Sequence, residues 1–528
     1  MTFVITQNCC TDASCVPVCP VDCIRPVPGE DGVAAPMLYI DPQTCVDCGV
    51  CAEVCPVNAI YHEDELPVAQ RRYKDINAHY FVGQPLAIRS NVPVAAPRPV
   101  ERGSLRVAVI GTGPAACYAV ADLVRTSGVE INVFDKLPTP YGLIRFGVAP
   151  DHQRTKDVIQ EFDTVLGHRD VSCFFNVAVG RDVTHDELVA HHHAVIYAVG
   201  ASRSRQLEIP GEQLAGNHAA ADVVGWYNGH PDHAHEDLNL SGSRAVVIGN
   251  GNVALDVARI LVMDRDALTR TDIADYALIK LQDSAIDEVV VLGRRGAADA
   301  AFSAGELLAL SALQGVDIVI EGDVGDRPTE FEKALKYDLI AELAVLPTHP
   351  GNRRIVLRFG ARPQRLVGDA RVEGLVIADS TGEATIATSL VVRSIGYRGS
   401  PIDGLPFDDD AGIVPNVGGR VIRDANPVPG VYVTGWIKRG PRGVIGTNRE
   451  CARQTVTNLL ADARAGLLPP NPADMNSLSE LLGSRDAEVV DWSGWRRIDA
   501  VECERGSAAR RPRVKVADVA ELLTAARA

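Results

Sequence analysis

The sequence predicts an α/β protein in which two doubly wound, parallel-sheet domains follow a small α+β domain rich in cysteine. Three observations support this fold class. Two strand–glycine-turn–helix motifs occur at 105–125 and 244–261, and nine of the 13 cysteines lie within the first 55 residues. The length of 528 residues suits roughly three to five domains.

Composition excludes several classes of protein. Hydrophobic residues make up 46% and charged residues 23%, which is typical of a globular chain. The net charge of −16 argues against nucleic acid or an anionic membrane as the partner. The first eight residues lack a basic start and an apolar run, and no stretch of 18 apolar residues occurs. We therefore expect a cytoplasmic protein that neither spans nor binds a membrane.

The clustered cysteines have the spacing of an iron–sulfur protein. Cys45, Cys48, Cys51 and Cys55, followed by Pro56, form C-x2-C-x2-C-x3-C-P. In proteins with two clusters the fourth cysteine of this run ligates the other cluster. Disulfides would need an oxidising compartment, and the sequence shows no export signal that would take the chain to one. Structural zinc would not explain the third closely spaced cysteine.

The same pattern occurs 36 residues earlier, so the cysteine-rich domain is an internal repeat. The earlier copy has Asp12 in place of its second cysteine, and Pro20 follows it. Its remaining cysteines are Cys9, Cys15 and Cys19.

The crossing rule then gives two unequal clusters. Cluster II has four thiolates and is predicted to be a [4Fe–4S] cluster; its ligands are Cys19, Cys45, Cys48 and Cys51. Cluster I has only Cys9, Cys15 and Cys55, which favours [3Fe–4S]. The alternative is a second [4Fe–4S] cluster with a labile iron on Asp12 or water. Cys10 and Cys23 are expected to pack nearby, although Cys10 could replace Cys9 as a ligand.

Charge in this domain is strongly one-sided. Residues 1–70 contain ten acids and one base, Arg25, a balance of −9. An acidic surface of this kind would steer the domain onto a basic partner. The alternative is that the acidic residues are merely solvated. A proline-rich segment at 91–104 follows, which could separate the domains or let them fold together.

The first glycine motif predicts a dinucleotide site. Residues 105–110 form a buried strand, and a helix is predicted at 117–125 after the turn. Gly111 permits the tight turn, Gly113 lets the backbone approach a pyrophosphate, and Ala116 permits close packing of helix on strand. A second strand at 130–134 ends at Asp135, which would accept hydrogen bonds from a ribose.

The second motif predicts a site for NADP. A strand at 244–248 leads into Gly249 and Gly251, and a helix continues through residue 261. The next strand, 288–292, ends in Arg294 and Arg295 instead of an acid. Two guanidiniums at this place suit a 2′-phosphate. The long stretch between this helix and the next strand predicts an inserted segment.

Two nucleotide sites in one chain indicate a flavin and a nicotinamide. Apolar strands that end in glycine at 193–201 and 430–436 mark where the chain crosses between the two domains. The second domain is therefore inserted into the first, and the chain returns at about residue 393. Three consecutive histidines at 191–193 are expected to cap the entry of a strand, because alternate strand residues point to opposite faces and cannot share a metal.

Four stretches of the chain are typical of a known family: LPTPYGLIRFGVAPDH (137–152), GNGNVALDVAR (249–259), VLGRRG (291–296) and GWIKRGPRGVIGTN (435–448). Through them, residues 105–528 resemble adrenodoxin-reductase-type ferredoxin–NADP reductases of the glutathione-reductase superfamily. Residues 1–80 resemble bacterial seven-iron or eight-iron ferredoxins. The whole chain resembles the fused ferredoxin/ferredoxin–NADP reductases of actinobacteria.

The resemblance implies roles for individual positions. Gly443 would lie between flavin and nicotinamide, and His152 would shape the redox site unless it only ties down a loop. The flavin contacts besides the glycine turn would be Asp135, Leu143, Val179, Trp436, Gly443, Val444 and Ile445. The NADP contacts would be Arg205, Asn250, Gly251, Asn252, Val253, Arg294, Arg295 and Glu306. Two departures are that Asp135 stands where the family usually has Glu, and that Ala309 replaces a second acid.

The expected domains are a ferredoxin-like domain (1–80), a linker (81–104), the first part of the FAD domain (105–200), the NADP domain (201–392) and the rest of the FAD domain with a C-terminal extension (393–528). The resemblance implies transfer of a hydride from NADPH to FAD. Single electrons would then pass through the clusters to a ferredoxin, a cytochrome P450 or another soluble acceptor. A monomer is expected. Rival hypotheses are a subunit that feeds a fixed larger subunit, as in glutamate synthase, and a non-enzymatic redox sensor.

Overall fold

The computed structural model describes residues 1–27, 36–82, 86, 98–470 and 472–528. Most of the expected linker at 81–104 lies outside the described residues. Among those that are described, no helix is long and apolar enough to cross a bilayer.

The N-terminal domain is built from two short antiparallel strand pairs. In chain order its elements are β1 (Phe3–Ile5), β2 (Ile24–Arg25), β3 (Tyr39–Ile40), α1 (Val50–Glu53), β4 (Ile60–His62) and α2 (Arg72–Val82). Strand β1 pairs with β4, and β2 pairs with β3. The buried side chain of Asn77 fastens α2 to both pairs, because its Oδ1 accepts hydrogen bonds from the N–H groups of Ile5 and Ile40. Helix α2 is thus part of this domain.

The next segment forms one half of a mainly parallel sheet. Its elements are β5 (Arg106–Ile110), α3 (Pro114–Val124), β6 (Glu130–Asp135), α4 (Leu143–Phe146), α5 (Gln153–Lys156), α6 (Ile159–Leu166), β7 (Val171–Phe175), α7 (His185–His191) and β8 (Ala194–Tyr197). Strands β5, β6, β7 and β8 pair in parallel. Helix α3 begins earlier than predicted, since Pro114 suits the first turn of a helix.

The middle segment contains a second parallel sheet and a smaller antiparallel one. Its strands are β9 (Arg203–Ser204), β10 (Asn217–Ala219), β11 (Arg244–Ile248), β12 (Glu288–Leu292), β13 (Val316–Gly322), β14 (Arg353–Phe359), β15 (Arg362–Val367), β16 (Gly374–Asp379), β17 (Gly382–Ala387) and β18 (Leu390–Arg393). Its helices are α8 (Ala220–Asn228), α9 (Asn252–Val262), α10 (Arg265–Leu268), α11 (Asp275–Gln282), α12 (Ala304–Ser311) and α13 (Phe331–Ala344). Helices α10 and α11 form the insertion expected before β12.

The last segment returns to the first sheet. Its elements are β19 (Tyr397–Arg398), β20 (Asn416–Val417), β21 (Arg420–Arg423), β22 (Asn426–Val433), α14 (Trp436–Arg439), α15 (Thr447–Arg464), α16 (Met475–Ser484), α17 (Trp492–Ala508) and α18 (Val519–Arg527). Short 3-10 helices lie at Glu63–Glu65, Val68–Gln70, Pro231–His233 and Ala297–Asp299.

The sheet orders show how the chain crosses between the two halves. One sheet has the order β20-β21-β22-β8-β5-β6-β7, and the other β10-β18-β11-β12-β14-β13. Strands β9 and β19 pair antiparallel where the chain leaves and re-enters. Parallel strands bring their carboxyl ends to one edge of a sheet, where nucleotides bind in such folds. Strands β5 and β22 have their carboxyl ends at one such edge, and strands β11, β12 and β18 have theirs at the other.

The three histidines directly precede β8, as expected, but the first two belong to the end of a helix. His191 is the last residue of α7 and His192 follows as its cap, so they do not lie consecutively on a strand. The end of a helix was not predicted here because the apolar residues of the strand that follows dominate the local sequence pattern. His191 contacts Ser477, while the buried ring of His192 contacts Asn132 and has a pKa lowered by burial to about 4. His193 Nδ1 accepts a hydrogen bond from the Arg106 N–H. The three rings have separate structural roles.

Candidate redox site

The first glycine turn has the geometry of a dinucleotide cradle. Gly111 has φ +102°, and a Cβ there would lie 2.7 Å from the carbonyl oxygen of Ala198, so only glycine fits. Gly113 caps α3, and no atom lies within 4 Å of the place its Cβ would take. Ala116 is buried against the sheet. The turn therefore leaves open space before a helix N-terminus, which suits a pyrophosphate.

Asp135 lies beside this turn at the end of β6. Its Oδ2 accepts hydrogen bonds from the N–H of Thr112 at 2.9 Å and from the Thr112 hydroxyl at 2.5 Å, and its Oδ1 accepts one from the N–H of Leu137 at 3.0 Å. Burial raises the pKa of Asp135, while the bonds from Thr112 and Leu137 oppose that shift. Asp135 thus orders the glycine turn, and its contact with a ribose stays a prediction.

The other expected flavin residues converge on the same edge. A Cβ on Gly435 would lie 2.5 Å from the Cβ of Ala115, so the turn after β22 abuts the start of α3. Trp436 opens α14, and its indole Nε1 is buried without a hydrogen-bond partner among the described residues. A buried donor without a partner fits a site that a cofactor completes.

The turn at 443–445 leads into α15. Gly443 has φ +82°, and the N–H of Val444 donates to the hydroxyl of Thr447 at 3.1 Å. Ile445 packs on the core that contains α3. Of two further predicted contacts, Leu143 is 48% exposed at the start of α4, whereas Val179 is half-buried against the hydrophobic core that contains β8.

The second glycine turn is equally constrained. Gly249 has φ +109°, and a Cβ there would lie 2.1 Å from the carbonyl oxygen of Ser394. Gly251 caps α9, and Val253 lies in the first turn of that helix. The carbonyl oxygen of Asn250 accepts from the Phe302 N–H, and Asn252 Oδ1 accepts from the Ser303 N–H at 2.8 Å. These bonds tie the turn to the loop that begins α12.

Three guanidiniums lie near the carboxyl edge of the second sheet. Arg294 and Arg295 follow β12 and are exposed, as is Arg205, whose N–H donates to the Gly396 carbonyl after β18. Arg295 donates only to the carbonyl oxygen of Asp299, at 3.2 Å, among the contacts in the described ranges. Because none of the three has a carboxylate partner in that part of the chain, their charges are available to an anion.

A charge network surrounds His152. The buried guanidinium of Arg259 donates to Asp151 at 2.6 and 3.1 Å, to Asp256 at 2.7 Å and to His152 Nε2 at 2.9 Å. Because a guanidinium can only donate, Nε2 of His152 is the acceptor in this contact. Sequence reasoning missed Arg259, although it stands in the GNGNVALDVAR stretch.

Glu306 completes this network. Its Oε2 lies 4.0 Å from His152 Nε2 and 3.6 Å from Arg259 Nη1. Burial raises the pKa of Glu306, and the neighbouring Asp256 raises it further. Glu306 Oε2 is buried and accepts no hydrogen bond from the described residues. His152 and Glu306, which were predicted separately, therefore share one site.

The predicted ligands of cluster I line one cavity. Cys9, Cys15 and Cys55 line a pocket of about 270 Å³, a volume that includes open solvent, together with Cys10 and Asp12. Burial raises the pKa of each of these thiols, that of Cys9 to about 12. Bound iron would supply the positive charge that lets such thiols ionise. The set of donors suits an iron–sulfur cluster, and the presence of Cys10 keeps the alternative ligand open.

The predicted ligands of cluster II form a second group. Burial raises the pKa of Cys51 to about 12, and the sulfurs of Cys45, Cys19 and Cys48 add to this shift because they lie close by. Cys23 lies 3.4 Å from Cys19, and this hydrogen bond lowers the pKa of Cys19 to about 6. The spare cysteine thus contacts a ligand, as expected. Cys48 is exposed, so this group reaches the surface.

The cysteine-rich domain packs on both halves of the larger body. The N–H of Gly446 donates to the carbonyl oxygen of Cys10 at 2.8 Å, and Arg449 pairs with Asp12 at 2.9 Å. On the other side, Arg72 pairs with Glu342 at 2.7 Å, and Tyr39 and Tyr80 contact Phe331 edge to face. Of the two arrangements that the linker allowed, the domains adopt the one in contact. The cluster I cavity therefore adjoins the turn at 443–446.

Comparisons with known proteins agree with this geometry. Residues 105–291 match the pyridine nucleotide-disulphide oxidoreductase family and residues 38–61 match the 4Fe-4S binding domain. The solved structure of FprA from Mycobacterium tuberculosis in complex with NADPH superposes with a TM-score of 0.75 at 42% identity, covering 80% of this chain and all of that one. The predicted fold class is confirmed.

Proteins that match over the whole of this chain are also similar to it. A probable ferredoxin/ferredoxin–NADP reductase of Mycobacterium leprae is 47% identical over 544 residues, covering 100% of this chain and 98% of the relative. The corresponding protein of Mycobacterium tuberculosis is 48% identical over 550 residues, covering 100% of this chain and 95% of the relative. The chain belongs to the family of ferredoxin–NADP reductases that carry an N-terminal ferredoxin domain.

Proposed function

We propose that this chain oxidises NADPH and delivers the electrons one at a time, through its own iron–sulfur clusters, to a soluble acceptor. The observation that carries the proposal is the contact between the turn at 443–446 and residues 10–12, which brings the predicted flavin edge against the cluster I cavity. When bound, FAD accepts a hydride from NADPH and releases electrons singly, and the clusters carry single electrons.

The chain's own residues supply binding and alignment. The turn at Gly111 and the helix α3 N-terminus would hold the pyrophosphate of FAD, and Trp436 would meet its ring system. Arg294 and Arg295, with Arg205 on the same edge, would hold the 2′-phosphate of NADPH. Gly443 is proposed to lie between the flavin and the nicotinamide, and its φ of +82° and the Thr447 hydroxyl, 2.6 Å from the place a Cβ would take, favour glycine there. Holding the reactants in register accounts for much of the rate in such transfers.

The network around His152 would keep this alignment fixed. Arg259 joins the loop that carries His152 to α9, which follows the second glycine turn. The two nucleotide domains are thereby tied together at the place where the rings would meet. We assign His152 and Glu306 to shaping this contact, and no protonation step is required of them.

Cluster I is proposed to be a [3Fe–4S] cluster and cluster II a [4Fe–4S] cluster. Three thiols line the first cavity besides Cys10, and Asp12 stands in the fourth position with its carboxylate already paired to Arg449. A second [4Fe–4S] cluster remains the alternative for cluster I. The second group has four thiols at the spacing that [4Fe–4S] clusters require.

Electrons are proposed to leave near Cys48. Val46 beside it is 56% exposed, and the surrounding surface is acidic, with Asp47 linked through His62 to Asp64 and with Glu53 exposed on α1. Such a surface suits a basic patch on the acceptor, a ferredoxin, a cytochrome P450 or a similar protein. A cytoplasmic location is proposed, because cysteines that ligate iron must stay reduced. The chain is further proposed to be a monomer with the domain bounds given above.

The test is removal of residues 1–104. The remainder corresponds to the whole of the Mycobacterium tuberculosis FprA chain, so it should fold. NADPH-dependent reduction of ferricyanide should persist, while reduction of cytochrome c without added ferredoxin should be slowed or lost. Unchanged reduction of cytochrome c would mean that the clusters lie outside the electron path.

A further inference from the structure

Asp12 occupies the position at which the later repeat has Cys48. It is only 7% exposed and lines the same cavity as Cys9, Cys15 and Cys55. A carboxylate is a hard ligand that can bind iron. The groups around Asp12 therefore determine whether it binds a fourth iron or leaves that corner of the cluster empty.

Arg449 engages Asp12 from the reductase part of the chain. Its Nη1 lies 2.9 Å from Asp12 Oδ2 and donates to the Ser14 hydroxyl at 2.5 Å, and that hydroxyl also donates to Asp12 Oδ2. One carboxylate oxygen thus accepts from two donors. The guanidinium lies over the Tyr118 ring, 5.7 Å from its centroid, and its side chain is 30% exposed. Packing fixes Arg449 on the side of Asp12 that faces the reductase.

We propose that Arg449 keeps the Asp12 carboxylate from binding iron, so that the site of Cys9, Cys15 and Cys55 holds three irons. The inference rests on the proposed cluster type. The guanidinium neutralises the carboxylate and engages its Oδ2, which removes the charge and occupies one of the two oxygens that a fourth iron could use. Arg449 is a positioning residue, since it acts through Asp12.

Arg449 opposes the binding of a fourth iron, a step that needs one electron and one Fe²⁺. A [3Fe–4S]⁺ cluster takes one electron, and the reduced cluster then takes one Fe²⁺ to become [4Fe–4S]²⁺. A bond forms between a carboxylate oxygen of Asp12 and the added iron, and the ion pair between Asp12 and Arg449 breaks. Without the guanidinium, the buried carboxylate would lack a counter-charge, and Fe²⁺ would supply one.

A docking role alone would make a different prediction. Arg449 also helps to hold the two domains together, so its loss could simply open the cavity to iron. Iron that entered an opened cavity could take water as its fourth ligand and would not need Asp12. Removing Asp12 together with Arg449 therefore separates the two explanations.

The experiment uses the full-length protein with its clusters, purified without oxygen. Wild type, Arg449→Leu, the double variant Arg449→Leu with Asp12→Ala, and the control Arg453→Leu are treated with dithionite and excess ferrous iron, desalted and reoxidised. Arg453 lies one turn further along α15 and pairs with Glu450 at the surface. Iron per chain and the EPR signal of an oxidised three-iron cluster are measured. Arg449→Gln, which is uncharged, replaces Arg449→Leu if that variant does not accumulate.

We expect wild type, the control and the double variant to keep about seven irons and the three-iron signal. Arg449→Leu should gain one iron and lose that signal. An Arg449→Leu protein that behaves like wild type would overturn the role of Arg449 while leaving the cluster type intact. Uptake of iron by the double variant would also overturn it. Eight irons in untreated wild type would refute the proposed cluster type itself.

Discussion

Gly446 allows a close test of how the two domains meet. A Cβ at this residue would lie 2.1 Å from Asp12 N, 2.2 Å from Thr11 C and 2.4 Å from Asp12 Cα, all of them backbone atoms. Gly446 itself has φ −70° and ψ −23°, which any residue can adopt. The substitution Gly446→Ala therefore leaves the reductase backbone unstrained and disturbs only the approach of residues 11 and 12.

The size of the effect follows from these distances. Ordinary contact begins at 3.4 Å, so the backbone at Asp12 must retreat from 2.1 Å by about 1.3 Å. Overpacking of this kind costs roughly 1–3 kcal/mol. The hydrogen bond from Gly446 to Cys10 would also lengthen. A coupling of about 1–3 kcal/mol corresponds to roughly a 5- to 150-fold change in the equilibrium constant for docking, and transfer from flavin to cluster I should slow by up to that factor.

The assay compares two acceptors in the full-length protein. Reduction of cytochrome c by NADPH without added ferredoxin should fall, by up to about 150-fold, whereas reduction of ferricyanide, which draws electrons from the flavin directly, should not change. Gly483→Ala is the matched control, because no atom lies within 4 Å of the Cβ it would add. A Gly446→Ala protein with full flavin and iron content and the wild-type rate with cytochrome c would refute the reasoning.

Two further predictions address cofactor choice and stability. Replacing Arg294 and Arg295 together by Ala should raise KM for NADPH by about 10- to 100-fold and leave KM for NADH almost unchanged, because charge-assisted hydrogen bonds to a phosphate are lost. Equal effects in steady-state assays with both cofactors would contradict the NADP site. Glu502 is fully buried and pairs with Arg145 at 2.5 and 2.9 Å. Burial raises the pKa of Glu502. The charge and hydrogen bonds of Arg145 and of other groups around the carboxylate outweigh burial, so the pKa lies below the ordinary 4.5. Its stabilisation should thus be present above about pH 4.5 and be lost as the pH falls through the lowered value. Glu502→Gln should cost about 3–5 kcal/mol at pH 7 by urea unfolding and should flatten this acid dependence, and a variant as acid-sensitive as wild type would argue against the assignment.

Local patterns predicted the nucleotide-binding strands well. The strands Arg244–Ile248 and Glu288–Leu292 have the bounds expected from their runs of β-branched residues. Glycine at 111 and 249 was assigned to tight turns, and both residues have positive φ with a backbone oxygen where a Cβ would lie. These features depend on a few neighbouring residues, and steric rules for the backbone are the same in every protein.

Features that arise from tertiary contact could not be read in this way. Asp12 and Arg449 are 437 positions apart, and the pair forms only because two domains dock. The sequence showed Asp12 in the place of a ligand cysteine, but it gave no sign of the cation that pairs with it. Similarly, Arg259 joins Asp151, His152 and Glu306 although it stood unremarked on a predicted helix. Contacts between distant segments have no local pattern.

The central claim is that electrons from NADPH reach the clusters of this same chain. It is tested most directly by mixing the oxygen-free, full-length protein with NADPH, with NADH as the comparison, and freezing samples for EPR while flavin absorbance is followed. We expect NADPH to bleach the flavin and then to abolish the signal of the oxidised three-iron cluster, and NADH to do so far more slowly. Flavin that bleaches while the cluster signal stays unchanged would contradict the account.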